Sequence, residues 1–290
     1  MHEAAVDEHD RGRGGRLERA VRPGHRRAGF QRHGVLRRYA SGMGPSASSA
    51  DSAGSTGSPG SVSSAASAGS ARPAVHTYWE TAGATMTFTH PLDHALLERY
   101  VPRDARILDY GCGYGRLTAQ LEELGYRDVQ GVDPSAAMIE RGAREHPGLT
   151  LTRQSALPLP FAANSFDAAL LFVVLGVVPG DADQNALVSE LARLIRPGGV
   201  LYLSDVPLQD DERHSRRYAE AVAAAPYRAY GTFSTPDGGL FRHHRPEQLR
   251  ALLHGNGFTV AEERTGTTAT LHGHTTRNVQ LVARRDAPAG

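Results

Sequence analysis

The chain has no lysine: every one of its 32 Lys+Arg residues is arginine. Schiff-base chemistry and a lysine general base are therefore excluded. It has a single cysteine, Cys112, so neither an intrachain disulfide nor a thiolate metal cluster can form. Long apolar runs are also missing. The longest, residues 168–178, falls well short of the roughly eighteen a membrane span needs and suits a buried strand with its exit loop. No histidine has a convincing carboxylate partner at ligand spacing, and Asp210-Asp211-Glu212 reads as a solvated acidic run, so no metal site is expected.

Charge divides unevenly. Residues 1–72 carry 11 Arg against 6 acids, a net +5, and the remainder carries 21 Arg against 25 acids, a net −4. A mildly acidic body argues against a nucleic-acid partner. Residues 1–42 lack hydrophobic periodicity and 44–72 are nearly all Ser, Ala, Gly and Pro, so 1–72 is expected to be disordered. Arg26-Arg27 has no apolar stretch after it, which removes an export reading, and Met43 offers an alternative start. A soluble, cytoplasmic domain over 73–290 is expected, as a monomer or homodimer.

The organising stretch is Ile107-Leu108-Asp109-Tyr110-Gly111-Cys112-Gly113-Tyr114-Gly115-Arg116. It reads as a buried strand, a glycine turn and a helix start. Three alternate glycines after an apolar strand let a ligand lie against the backbone, with Cys112 a small filler inside the turn. A dinucleotide fingerprint would place its third glycine where Arg116 stands, and Asp109 would repel a pyrophosphate at the helix N-terminus. A cationic or zwitterionic ligand fits better. Asp133, at the end of the next strand, is placed to accept hydrogen bonds from ribose hydroxyls, a need of nicotinamide and adenosylmethionine enzymes alike. Its alternative role is to cap the helix opened by Pro134-Ser135.

The stretch resembles motif I of the class I S-adenosylmethionine-dependent methyltransferases. The resemblance covers about 75–285, where strands and helices alternate: strands near 107, 129–132, 149–153, 166–172, 200–204, 258–262 and 278–283. It implies an α/β, Rossmann-like, seven-stranded mostly parallel sheet with the last strand antiparallel and helices on both faces. It also implies S-adenosyl-L-methionine as cofactor, bound by Asp109, Gly111, Gly113, Gly115, Asp133, Pro134, Met138, Ser155, Ala156, Leu157 and Val173. Ser155 stands where many members carry an Asp toward adenine, so its role is open. Trp79 either caps the cofactor pocket or packs the helix from about Leu92 onto the sheet.

After the fourth strand, 173–175 is apolar and matches neither the Asn/Asp-Pro-Pro-aromatic tetrad nor the Pro-Cys pair of base methyltransferases. That suggests a small, partly apolar acceptor. Residues 206–245 fall where the family inserts a substrate lid and concentrate aromatics and histidines, as an aromatic or polycyclic acceptor would need. Within it Tyr230, His243 and His244 are the candidate catalytic residues, an imidazole taking the acceptor's proton; the histidines alternatively are loop polarity before Pro246. His272 and His274 are weaker candidates. Two other functions stay open: an NAD(P)-dependent oxidoreductase on a similar sheet, and a protein that binds S-adenosylmethionine without methylating.

Overall fold

A computed structural model describes residues 77–81, 83–269 and 274–287. All belong to the compact unit Ser64–Gly290. The expectations for residues 1–72 and for His272 lie outside the described residues.

Helix α1 (His94–Tyr100) begins at Asp93, whose carboxylate accepts the Leu96 N–H at 2.9 Å; this cap sets the start two residues beyond the expected Leu92. Next come β1 (Arg106–Tyr110), α2 (Arg116–Glu123), β2 (Asp128–Asp133), α3 (Ala136–Glu145), β3 (Leu151–Arg153), β4 (Phe166–Phe172), α4 (Asp181–Leu194) and β5 (Ile195–Asp205). The lid region folds as α5 (Glu212–Ala224) and a small hairpin of β6 (Thr232–Ser234) and β7 (Leu240–Arg242). α6 (Pro246–Gly255), β8 (Phe258–Ala269) and β9 (Thr275–Arg285) complete the unit.

The seven-stranded sheet has the order β3-β2-β1-β4-β5-β9-β8. Its neighbours pair in parallel from β3 to β5, and β9 runs antiparallel to both β5 and β8. This is the expected sheet. Strands covered on both faces need continuous apolar runs, and β4 supplies one, with six of its seven residues buried. One face packs Leu108, Leu171 and Leu203 against α4 and α6 through Leu187, Leu191, Leu249 and Leu253; the other packs Ile107, Leu170 and Tyr202 against α1 and α2 through Leu96, Leu97, Leu117 and Leu121.

β8 and β9 are much longer than expected. Beyond Arg264 and Val279 they extend past the end of β5 as a two-stranded ribbon of Thr, Arg and Gly, which carries too little apolar alternation to read as strand. β5 begins at Ile195 rather than 200, because Ile195 already pairs with Phe166 before a register shift. Strand order reverses between β1 and β4. In open α/β sheets a ligand crevice forms at the carboxyl ends of the strands at such a point.

Candidate functional site

The loops leaving β1 and β4 meet at that reversal. Gly111, Gly113 and Gly115 all have positive φ, at 72°, 57° and 84°. A Cβ on Gly111 would lie 2.4 Å from Val174 Cγ2, and one on Gly113 would lie 2.4 Å from Phe88 Cε2. So these two glycines answer a conformational and a spatial demand together. Cys112 is buried inside the turn, as its small size suggested.

Two carboxylates brace the turn. Asp133 Oδ2 accepts the Gly113 N–H at 2.9 Å and Oδ1 accepts the Ser135 N–H at 2.8 Å, tying the end of β2 to both the glycine turn and the start of α3. Ser135 Oγ caps α3 through the Met138 N–H at 3.1 Å. Asp109 is buried and accepts the Thr118 hydroxyl at 2.7 Å. Burial pushes its carboxyl up to about 6, against the opposing pull of the Thr118 hydrogen bond and the Arg116 charge.

The β4 exit holds Val173 at φ 60°, a conformation rare for a β-branched residue, with its N–H on Ser204 O at 2.7 Å. The neighbouring turn is pinned by Asp205, a fully buried carboxyl that accepts the N–H groups of Gly176 at 3.0 Å and Val206 at 2.7 Å. Burial raises it to about 7, more than those two hydrogen bonds pull it down.

Residues 77–81 and 83–93 lie against the glycine turn and the start of α3. Glu80 places its two oxygens on the Ala136 and Ala137 N–H groups at 2.9 and 3.0 Å, an anion at the N-terminus of α3. Trp79 meets Tyr78 and Phe88 edge-on, and its carbonyl accepts from Ser135 Oγ at 3.1 Å. It therefore sits over the β2–α3 junction and does not pack a helix onto the sheet. Phe88 stacks on Tyr114 at 5.1 Å.

The lid histidines are inward. His243 Nδ1 lies 2.7 Å from the Tyr218 hydroxyl, and His244 Nε2 lies 2.8 Å from Gln184 Nε2, so that ring nitrogen accepts. Burial first, then neighbouring positive groups, pushes His243 down to about 3 and His244 to about 4. Both rings are neutral near pH 7 and are weak proton acceptors. Tyr230 is 48% exposed, packs edge-on against Tyr218, and lines a shallow cavity of about 380 Å³ with Tyr218, Arg245 and Arg277. The acidic run is not merely solvated: Asp211 caps α5 through His214, and Asp210 pairs with Arg277 at 3.0 Å.

Of the expected cofactor residues, Asp109, the three glycines, Asp133 and Val173 converge at the strand reversal. Pro134 flanks Asp133, with its carbonyl bound by Arg153 at 3.1 Å, whereas Met138 is fully buried beneath the start of α3. Ser155, Ala156 and Leu157 lie exposed on the β3 exit loop, which leaves beside Asp133 through the Gln154 N–H on Asp133 O at 2.9 Å. Sequence reasoning missed Asp205 and Gln184, neither of which sits in a recognisable spacing. Among the described residues no three His, Cys, Asp or Glu side chains converge to hold a metal, and no helix is long and apolar enough to cross a membrane.

A glycine turn between two strand-end carboxylates at a strand-order reversal defines a class of α/β domain that binds an adenosyl cofactor. Residues 85–263 match the methyltransferase domain family, and the chain belongs to it. It is 29% identical over 178 residues to the ribosomal protein L11 methyltransferase of Bordetella parapertussis, covering 60% of this chain and 53% of that protein. It is 30% identical over 203 residues to a ubiquinone biosynthesis O-methyltransferase of Xanthomonas axonopodis pv. citri, covering 65% and 79%. The chain thus spans about half the length of the first of these relatives. A solved S-adenosylmethionine-dependent methyltransferase from Methanosarcina mazei superimposes with a TM-score of 0.61 at 25% identity, over 67% of this chain and 98% of that one. The cofactor of this family is S-adenosylmethionine. The residues present fit it: a Cβ would fill the cradle at Gly111 and Gly113, and Asp109 offers a buried carboxyl beside them.

Proposed function

We propose that the domain transfers a methyl group from S-adenosylmethionine to an O, N or C atom of a small, aromatic or partly apolar molecule. The observation that carries this reading is the pair Asp109 and Asp133 at the ends of adjacent parallel strands, on either side of a glycine turn with no room for side chains. When bound, S-adenosylmethionine supplies a methyl already activated on a sulfonium sulfur.

The protein's part is then placement and exclusion of water. Asp133, at the end of β2 beside the glycine turn, would accept the ribose hydroxyls. Asp109 would face the cationic methionine end, and a nearby positive charge would draw its raised pKa back down. Val173 and Val174 would line the methionine arm, while Phe88 and Trp79 would exclude solvent from it. Orientation of this kind supplies on the order of 7–11 kcal/mol in the best intramolecular cases. Proton transfer has the smaller share, since His243 and His244 are neutral and weakly basic. With Tyr230 they shape the lid around the acceptor and steer it by hydrogen bonding.

The direct test is titration of the full chain with S-adenosylhomocysteine, S-adenosylmethionine and NADH, followed by mass analysis of acceptors incubated with S-adenosylmethionine. Binding of the adenosyl compounds alone, with a gain of one methyl, is expected. Binding of NADH alone would replace this reading with hydride transfer.

A further inference from the structure

Residues 88–93 have three anchors, which tie them to the glycine turn, the β8–β9 ribbon and β5. His90 O accepts from Arg116 Nη2 at 2.6 Å, beside the glycine turn. Thr89 O accepts from Thr268 Oγ1 at 3.3 Å, and Thr89 Oγ1 donates to Ala269 O, on the β8–β9 ribbon. The Asp93 N–H donates to the Tyr202 hydroxyl at 3.3 Å, on β5. In a sheet ordered β1-β4-β5-β9-β8, an arch from α2 to β8 must cross over the ends of β4, β5 and β9.

The floor beneath it is set by register. Ser204 lies opposite Gln280, so both share the face that carries Tyr202 and Val282, and Asn278 and Thr276 follow on that face by the two-residue period of a strand. Opposite Asn278 is Gly266, where an added Cβ would lie 3.0 Å from Asn278 Oδ1; the missing side chain leaves the amide its space.

The polar groups here change character along the strand. The side-chain Oε1 of Gln280 accepts from the Tyr202 hydroxyl. Two residues further, Asn278 is 1% exposed, yet neither its Oδ1 nor its Nδ2 has a partner. The same is true of Ser204 Oγ, Thr276 Oγ1 and His90 Nε2, all in buried residues. Buried polar atoms without partners are destabilising and rare, and a cluster of them at the carboxyl edge of a sheet is the mark of a site awaiting a ligand. Of the charges bordering this cluster, Arg264 pairs with Asp93 at 2.5 Å, and Arg116 donates to the His90 carbonyl. His90 is neutral, its pKa pushed down to about 4 by burial and then by Arg116.

We propose that His90, Ser204, Thr276 and Asn278 bind the methyl acceptor, and that they select an uncharged acceptor presenting a hydrogen-bond donor and acceptor side by side, as a lactam or carboxamide does. An Asn amide offers a matching acceptor–donor pair, two hydroxyls add adaptable contacts, and none of the four side chains carries a charge to hold a carboxylate, phosphate or ammonium. The assignment rests on the methyl-transfer reading above. It adds the chemistry of the acceptor and the residues that read it.

The experiment uses the full chain with S-adenosylhomocysteine, titrated with 2-quinolone as the neutral lactam, 1-naphthoate as the anion and tryptamine as the cation. The variants are Asn278→Leu and Ser204→Ala, each also melted without ligand. The lactam should bind at least tenfold tighter than either charged probe, and Asn278→Leu should weaken it at least tenfold with S-adenosylhomocysteine affinity unchanged. Both variants should melt at the same or higher temperature, because each removes a buried group that lacks a partner. A melting temperature lowered by several degrees with lactam binding intact would mean the groups are structural. Tighter binding of a charged probe, or of no probe while S-adenosylhomocysteine binds, would overturn the proposal. Failure of S-adenosylhomocysteine itself would bring down the methyl-transfer reading and this one with it.

Discussion

Replacing Asp133 by Asn isolates the contribution of one carboxylate to two functions. Asp133 accepts one backbone N–H on each oxygen, from Gly113 at 2.9 Å and Ser135 at 2.8 Å. An amide can accept only one of these, and its NH₂ then faces the other donor. One buried N–H loses its partner, which costs about 1–3 kcal/mol. For a domain of this size each kcal/mol lowers Tm by roughly 2–4 °C, so a fall of about 4–8 °C is expected for a 2 kcal/mol loss. If the same carboxylate also takes the ribose hydroxyls, S-adenosylhomocysteine loses a charge-assisted contact of about 1.5–3 kcal/mol. At 1.4 kcal/mol per decade, its Kd rises at least tenfold. The control is Asp128→Asn, on the exposed end of the same strand, where a 3.7 Å contact with Arg106 contributes little. Calorimetric titration and thermal unfolding of both variants make the comparison. A lowered Tm with cofactor affinity within twofold of the parent would refute the ribose assignment and leave Asp133 as a brace for the turn.

Gly113→Ala should abolish cofactor binding and destabilise, since its Cβ meets Phe88 at 2.4 Å; adding Phe88→Ala should recover part of the stability in a double-mutant cycle. By contrast, Gly125→Ala, with φ 94° but nothing within 4 Å, should cost only the left-handed strain of about 1–2 kcal/mol in thermal unfolding. Glu80→Ala should loosen the N-terminus of α3 by about 1 kcal/mol and speed hydrogen exchange at Ala136 and Ala137; unchanged exchange would show that the carboxylate is not holding them. The signs of two pH effects oppose each other. His243 is lowered to about 3, so its contribution to stability is present above pH 6.5 and lost as pH falls toward 3, and His243→Asn should remove that slope. Asp205 is raised to about 7, so stability falls as pH climbs from about 4 to 7, and Asp205→Asn should flatten melting curves in that window.

Much of the site was legible because glycine and short-range spacing carry local information. The turn at 111–115, the Ser135 cap and the strand-end position of Asp133 depend on a few adjacent residues. The lid was legible only as a concentration of aromatics. That His243 would turn to Tyr218 and His244 to Gln184 depended on partners 25 and 60 residues away, and their burial made them poorer bases than their ordinary pKa suggests. The β8–β9 ribbon escaped notice because its pairing is self-supporting and needs little apolar alternation.

By itself the sequence determined the class of fold: two-sided apolar strands separated by amphipathic helices can bury both faces only as a covered, mostly parallel sheet. It also determined the glycine turn, since only glycine tolerates that backbone at that density. Only the tertiary structure decided which distant polar groups meet. Glu80 reaches α3, Phe88 covers Gly113, and Asn278 stands on the face that carries Ser204, because sheet order and register bring them together. Such contacts leave no period in the chain, for each side chain is chosen against a neighbour that folding alone supplies.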